Sequence, residues 1–307
     1  MKLNPHNTSP RHTRHGFSLI ELLVVIVIIG ILMALILPAL SGVRRRAAVA
    51  EQAAEFSKID TAITQFTSDM GVEPWSELVV TEDTSVIDWD ATPELILSRT
   101  RIRRIWPTFG FSGQIDFNGD FAFTGDSSGG GTITLAGSEC LVFFLAGPFS
   151  RDADGDGSIS AAEAVLPAAY LGFSKNPINP CSTTGTNRQT PWFNFDPDRL
   201  TDADSDGMPE YYPTLGEANV PIHFASANNG QGYYSGVTIY VQADGRTAWN
   251  KDSHQLIAAG FDNELGFVPY SIPPAARLTY ANSGSLSGRP MEADNVTNFK
   301  QGSTLGD

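Results

Sequence analysis

The sequence predicts an α+β fold in which one long amino-terminal helix packs on a small antiparallel sheet within a loop-rich head. Two observations carry this prediction. Residues 22–43 contain no charged side chain and are almost wholly apolar up to Leu40, and further apolar residues then recur at helical spacing up to Phe66. After Gly71 the composition changes to Gly, Pro, Asp, Ser and Thr with short apolar runs, which is typical of loops that join short strands.

The apolar stretch is long enough to cross a membrane. It contains no charged side chain, and as a helix Leu22–Leu40 would rise about 28 Å, close to the ~30 Å hydrocarbon core of a bilayer. The basic residues Lys2, Arg11 and Arg14 precede it, which predicts a cytoplasmic start and export of the rest. A secretory signal peptide, the main alternative, would place its cleavage site after a shorter apolar region. A plain membrane anchor is the other alternative.

The second half of the predicted helix is amphipathic. Beyond residue 46, apolar side chains recur at helical spacing at Phe56, Ile59, Ile63 and Phe66. This stripe predicts packing on the head, and Met70-Gly71 predicts the end of the helix. Pro38 removes a helical hydrogen bond, so we expect a kink or local melting there.

The segment GFSLIELLVVIVIIGILMALILPAL, residues 16–40, resembles the prepilin signal of type IV pilins and type II secretion pseudopilins. The resemblance implies cleavage by a prepilin peptidase between Gly16 and Phe17, followed by N-methylation of Phe17. Counted from Phe17, Glu21 stands at the family's fifth position, and Gly30 and Pro38 stand at its fourteenth and twenty-second positions.

Glu21 is the assembly residue that this resemblance implies. A carboxylate near one end of a membrane helix is unfavourable unless it finds a partner. The resemblance supplies the α-amino group of Phe17 on a neighbouring subunit, and a misaligned subunit would leave both charges unpaired. A carboxylate that reaches the membrane interface is the simpler alternative.

These features predict three segments. Residues 1–16 form a cleaved leader, residues 17–69 form the long helix with about 17–40 in the membrane or filament core, and residues 70–307 form a periplasmic or extracellular head. In residues 72–110, prolines predict only short elements, at Pro74, Pro93 and Pro107.

Short strands are predicted in the head at three places, 131–135, 237–242 and 254–258, with a turn at Asp244-Gly245. Residues 138–146 form either a short buried helix or a strand, since periodicity does not decide between them.

The charge balance argues against a nucleic-acid surface. The chain has 20 Lys and Arg against 34 Asp and Glu, and a nucleic-acid partner needs clustered basic residues. The acidic excess suits an exported domain or one that binds hard cations. Cys140 and Cys181 either form one disulfide or remain two buried thiols.

Residues 152–163, DADGDGSISAAE, match the EF-hand loop pattern and predict a structural Ca²⁺ site. Gly157 permits the sharp turn, while Pro148 argues against a complete entering helix. We expect an isolated loop followed by a short helix. The candidate ligands are Asp152, Asp154, Asp156, Ser158, Ser160 and Glu163.

Two weaker metal candidates follow. Residues 202–210 repeat the Asp-x-Asp-x-Asp-Gly core and resemble the loops of thrombospondin type 3-like repeats, with candidate ligands Asp202, Asp204, Asp206, Met208 and Glu210. Residues 255–266 resemble the carboxy-terminal calcium loop of major type II secretion pseudopilins. That second resemblance implies Asp262 and Asp294 as ligands, and ordinary turn chemistry is the alternative.

We therefore expect a non-catalytic filament subunit. It would wait in the inner membrane, lose its leader, and be extracted from lipid by an assembly machine into a pilus or pseudopilus that supports secretion or adhesion. A calcium-dependent adhesin or minor tip subunit is the alternative. No HExxH metalloprotease motif and no Walker-type nucleotide-binding loop occurs. His254, beside Asp252 and Ser253, is the acid–base cluster an enzyme would use, and we expect a surface histidine at a strand edge.

Overall fold

The computed structural model describes residues 18–121, 123, 125, 131–150, 152, 160, 169–216, 219–270, 276–280, 286, 288–300 and 302–306. At positions 36–39 and 41 it describes the backbone alone. The chain divides into two units, residues 1–47 and residues 48–307. Mixed helix and small sheets confirm the predicted α+β class.

Helix α1, Leu19–Met70, is the long predicted helix, and its backbone is helical through position 38. Gly71 ends it with a positive φ of 74°, and its amide donates to the carbonyl of Thr67 at 2.9 Å. Glycine adopts this conformation without a Cβ penalty. The apolar stripe, Phe56, Ile59, Ile63 and Phe66, is buried as predicted.

Two shorter helices complete the described α content. Helix α2, Pro93–Ile105, begins with Thr92 as N-cap and Pro93 in its first turn. The prediction of only short elements in residues 72–110 was therefore wrong, because proline is favourable at a helix start. Helix α3, Ser138–Ala146, is buried throughout, which settles the choice between helix and strand.

The described strands form five small sheets. In chain order they are β1 (Glu77–Thr81), β2 (Thr132–Ala136), β3 (Phe149–Ser150), β4 (Ala169–Tyr170), β5 (Leu200–Thr201), β6 (Glu210–Tyr211), β7 (His223–Ser226), β8 (Ile239–Val241), β9 (His254–Ala258), β10 (Arg277–Thr279) and β11 (Val296–Thr297).

The largest described sheet is antiparallel and has the order β11–β9–β7. The pairs β1–β2, β3–β4 and β5–β6 are also antiparallel, whereas β8 and β10 pair in parallel. The single modest sheet expected from the sequence is thus several separate ladders. In the core, α1 contacts α3: the ring of Phe66 packs edge-on against that of Phe144, with 5.8 Å between the ring centroids.

Cys140 and Cys181 are both free and buried. The sequence left open a disulfide or two buried thiols, and the structure contains two buried thiols. Burial raises the pKa of both groups above the ordinary thiol value, because the thiolate is poorly solvated there.

Candidate functional site

The first part of α1 exposes large apolar side chains at most positions from Leu19 to Leu35, and again at Leu40 and Val43. Within the described residues, no helix has the length and hydropathy that a membrane crossing needs. The transmembrane segment therefore stays a prediction. Glu21 is exposed, and its Oε2 accepts a hydrogen bond from the Ser18 amide at 2.9 Å.

The processing residues Gly16 and Phe17 lie outside the described residues, as does the whole predicted leader. Pro38 lies within α1, where the structure describes only the backbone. The predicted pairing of Glu21 with a Phe17 amine is therefore not part of the described geometry.

The EF-hand-like loop lies between two paired strands. Phe149 pairs with Tyr170 and Ser150 with Ala169, so β3 and β4 close the segment that contains the loop. Of its candidate ligands, Asp152 and Ser160 are described, and the Asp152 amide donates to Ser150 Oγ at 3.1 Å. The remaining candidates lie outside the described residues: Asp154, Asp156, Ser158 and Glu163.

The second acidic loop joins β5 to β6. Thr201 pairs with Glu210 at its base, and Glu210 Oε2 accepts a hydrogen bond from the Ala203 amide at 3.0 Å. Asp202 Oδ2 accepts from the Gly207 amide at 3.0 Å. The side chains of Asp202 and Glu210 thereby bind backbone amides within the loop.

Gly207 is the residue that permits this loop. Its φ is 86°, and a Cβ built there would lie 2.7 Å from the Cβ of Asn118. Asn118 Nδ2 also donates to the Asp206 carbonyl at 2.9 Å. A glycine at this position therefore satisfies both the backbone conformation and the close packing of the two segments.

The structure adds a carboxylate that the sequence analysis missed. Glu139, in the first turn of α3, forms a group with Asp204 and Asp206 in which one carboxylate oxygen from each residue lies within 4.8 Å of the others. Ser138 holds α3 beside the hairpin, since its Oγ accepts from the Tyr211 amide at 2.7 Å. The sequence signal was weak, because a lone glutamate in a helix's first turn is common.

The members of this carboxylate group differ in burial. Glu139 is 6% exposed and Asp206 is 4% exposed, whereas Asp204 reaches the surface. Burial raises the pKa of Glu139 to about 9, although the hydrogen bond from the Ala136 amide lowers it in part. Burial likewise raises the pKa of Asp206 to about 7, and neighbouring acids contribute to both shifts. An all-oxygen donor set of this kind fits Ca²⁺.

The other candidate ligands of the 202–210 loop lie around this group. Glu210 lines the same pocket as Glu139 and Asp204. Met208 is buried, and its amide donates to Asp206 Oδ1 at 2.7 Å. Asp202 lies at the base of the loop, and its Oδ1 is buried without a hydrogen-bond partner in the described chain.

Asp262 and Asp294 are brought together despite their separation in sequence. Asp294 Oδ2 accepts hydrogen bonds from the amides of Phe261 at 2.7 Å and Asp262 at 3.3 Å. The approach is close enough that a Cβ on Gly260 would lie 2.1 Å from Asp294 Cγ. The segment that follows β9 and the segment that precedes β11 thus lie side by side, as the sequence resemblance implies.

His254 is not a surface histidine at a strand edge, so that prediction was wrong. It lies on β9, the central strand of its sheet, and is buried. Nε2 lies 2.8 Å from Asp60 Oδ1 and Nδ1 lies 2.9 Å from Glu73 Oε1. Because both ring nitrogens face carboxylates, the ring is an ion-pair partner that joins α1 to the sheet.

A second ion pair joins α1 to the hairpin of the acidic loop. Arg199 binds both carboxylate oxygens of Glu55, at 2.6 and 2.8 Å, and its guanidinium lies over the Tyr211 ring at 4.3 Å. The Tyr211 hydroxyl donates to Glu55 Oε1 at 2.7 Å. One end of the β5–β6 hairpin thus contacts α1, while the other carries Asp204 and Asp206.

Comparison with known protein families gives a match at the amino terminus. The family described as the prokaryotic N-terminal methylation motif matches residues 11–37. No curated protein and no solved structure matches the chain. The match includes Gly16, Phe17 and Glu21, and it supports a pilin- or pseudopilin-type chain that is processed by prepilin peptidase.

Proposed function

We propose that this chain is a structural subunit of a type IV pilus-like or type II secretion pseudopilus filament. The observation that carries the proposal is the position of the methylation motif, residues 11–37, which leads directly into the long helix α1. A cut before Phe17 would leave the whole apolar part of that helix on the mature protein.

The exposed apolar side chains of α1 supply the driving force for assembly. From Leu19 to Leu35, and again at Leu40 and Val43, they are exposed in the single chain. Contiguous apolar surface of this kind is stable only against lipid or other protein. We propose that it lies in the inner membrane before assembly and against the same helices of other copies afterwards, with the head in the periplasm or outside the cell.

Glu21 would set the axial register of the filament. Its carboxylate is exposed near the start of α1, four positions after Phe17. In an apolar filament core it would pair with the amine that cleavage creates on a neighbouring copy, because an unpaired buried charge is strongly unfavourable. The role is structural rather than catalytic.

The processing step is tested by mass spectrometry of protein purified from its own membrane. We expect a chain that begins at Phe17 and carries one methyl group on its amine. An intact Met1 on the assembled protein contradicts the proposal.

Assembly is tested by substitution in cells that contain the assembly machinery. Glu21→Ala should be cleaved normally but be absent from sheared filaments. Glu51→Ala, an exposed position on the same helix outside the motif, should be incorporated like the unmodified chain. Normal incorporation of Glu21→Ala contradicts the register role. If antibodies against the head bind only at the ends of the filaments, the chain is instead a minor tip subunit.

We also propose that the head binds structural Ca²⁺ through residues 152–163. The support is the spacing of its acidic residues and the closure of the segment by β3 and β4. An ion that binds only the folded head stabilises it by about 2.7 kcal/mol at a hundredfold excess over Kd. Glu163→Gln should reduce this stabilisation, whereas Glu51→Gln, an exposed control outside the acidic loops, should not.

A further inference from the structure

We propose that Glu139, Asp204 and Asp206 bind one Ca²⁺ that fastens the 202–209 loop to the amino end of α3. The three carboxylates meet within 4.8 Å although they come from a helix and a hairpin loop. The site is separate from residues 152–163, and it does not depend on the proposed filament role.

The first argument is the balance of charge. Glu139 and Asp206 are more than nine-tenths buried. In the part of the chain that the structure describes, no basic side chain forms an ion pair with Glu139, Asp204 or Asp206. Buried carboxylates are unfavourable unless a cation or a proton neutralises them.

The second argument comes from His223, which is 2% exposed and lines the same pocket as Glu139 and Asp204. The pocket has a volume of 240 Å³. His223 Nε2 donates to the Thr238 carbonyl at 2.8 Å, which leaves Nδ1 with a lone pair. Nδ1 is buried and has no hydrogen-bond partner among the described residues.

An acceptor of this kind calls for a donor in the pocket. A cation on the neighbouring carboxylates would hold water molecules, whose O–H groups can donate to such an acceptor. His223 is not one of the residues whose atoms meet within 4.8 Å. The imidazole is therefore a partner for bound water rather than a member of the ligand set.

The donor chemistry selects a hard cation. The three side chains offer only carboxylate oxygens. Oxygen donors on an irregular loop suit the flexible six- to eightfold coordination of Ca²⁺, whereas Zn²⁺ prefers nitrogen and sulfur ligands. Glu210, in the same pocket, supplies a further carboxylate near the ion.

The test uses the full-length chain in detergent, stripped of metal and titrated with Ca²⁺ by calorimetry. Tb³⁺ provides a second probe, because its luminescence is sensitised by nearby tyrosines. Tyr270 lines the pocket, and the acids of the site act on the pKa of Tyr212. Both rings are therefore close enough to the site to report on an ion there.

Glu139→Gln and Asp204→Asn should each weaken the binding of one Ca²⁺ by about tenfold or more and reduce the Tb³⁺ signal. Glu82→Gln is the matched control, since Glu82 is equally buried, accepts two backbone amides and lies outside the group. It should bind like the unmodified chain. Glu163→Gln should also retain this ion.

Two outcomes overturn the proposal. One is unchanged stoichiometry and affinity in both Glu139→Gln and Asp204→Asn. The other is complete loss of Ca²⁺ binding in Glu163→Gln, which would place all bound calcium at residues 152–163. Circular dichroism of each variant shows whether it is folded, so that a lost site is distinguished from a lost fold. Filament incorporation is measured separately and leaves this result unaffected.

Discussion

Asp60 on α1 and His254 on the central strand β9 are 194 residues apart in sequence, yet their side chains meet at 2.8 Å. Glu73 binds the other ring nitrogen at 2.9 Å. Burial lowers the pKa of His254, but the hydrogen bonds and charges of the two carboxylates outweigh it and raise the pKa to about 9. The imidazole is therefore a cation at neutral pH.

Replacing this cation should destabilise the head. His254→Gln leaves Asp60 and Glu73 without their shared partner, and removing one member of a buried ion pair costs about 3–5 kcal/mol. Urea unfolding, followed by tryptophan fluorescence, measures the loss. Asp252→Asn, an exposed neighbour on the same segment, is the control and should change little. A loss below about 1 kcal/mol in His254→Gln would mean that the cluster contributes little.

The same cluster predicts how stability depends on pH. Since folding raises the pKa of His254 from 6.5 to about 9, its contribution is complete below pH 6.5 and is lost as the pH rises to 9. The melting temperature should therefore fall over this interval. The raised pKa of Glu139 acts in the same direction, so the informative quantity is the difference from His254→Gln, whose curve should be flatter. Parallel curves would contradict the assignment.

The contact of Glu55 with Arg199 predicts a second stability effect. Glu55→Gln removes the charge that binds the guanidinium through two hydrogen bonds, and we expect a loss of about 2 kcal/mol. Chemical unfolding measures this loss. Glu51→Gln, on the exposed side of the same helix, should be neutral. Equal effects of the two substitutions would mean that the ion pair adds nothing.

Comparing Gly207→Ala with Gly185→Ala separates the cost of a positive φ from the cost of a steric clash with a neighbouring side chain. Gly207→Ala forces an alanine into a positive φ and against Asn118. Gly185→Ala meets the same backbone penalty, at a φ of 89°, with nothing within 4 Å of the new Cβ. We expect about 1–2 kcal/mol for Gly185→Ala and a larger loss, with weaker Ca²⁺ binding, for Gly207→Ala. Thermal unfolding of both variants provides the comparison, and equal losses would contradict the packing role.

The two thiols predict a labelling result. Cys140 and Cys181 are free and buried, so a maleimide should modify neither in the folded chain and both after unfolding. Mass spectrometry without reducing agent counts the modified thiols. A chain that accepts label only after reduction would contradict the free state.

Much of the fold could be predicted from local patterns. The helix end at Gly71 and the buried stripe through Phe66 follow from spacing along one helix face. Strand β9 has the predicted bounds, His254–Ala258. Helix α2 was not predicted, because proline within a segment usually breaks a helix, whereas Pro93 stands in the first turn, where proline is favourable. The number of separate sheets was missed as well, because pairing depends on contacts distant in sequence.

The candidate sites divide in the same way. The amino-terminal processing motif, the long helix and the acidic loops could all be recognised in the sequence, because each is a pattern of residues close together in the chain. In contrast, the grouping of Glu139 with Asp204 and Asp206 is visible only in the folded chain. The same is true of the burial of His254 between Asp60 and Glu73. These side chains come together only when elements distant in sequence pack, and the charged groups that become buried in this way are the ones that need an oppositely charged partner.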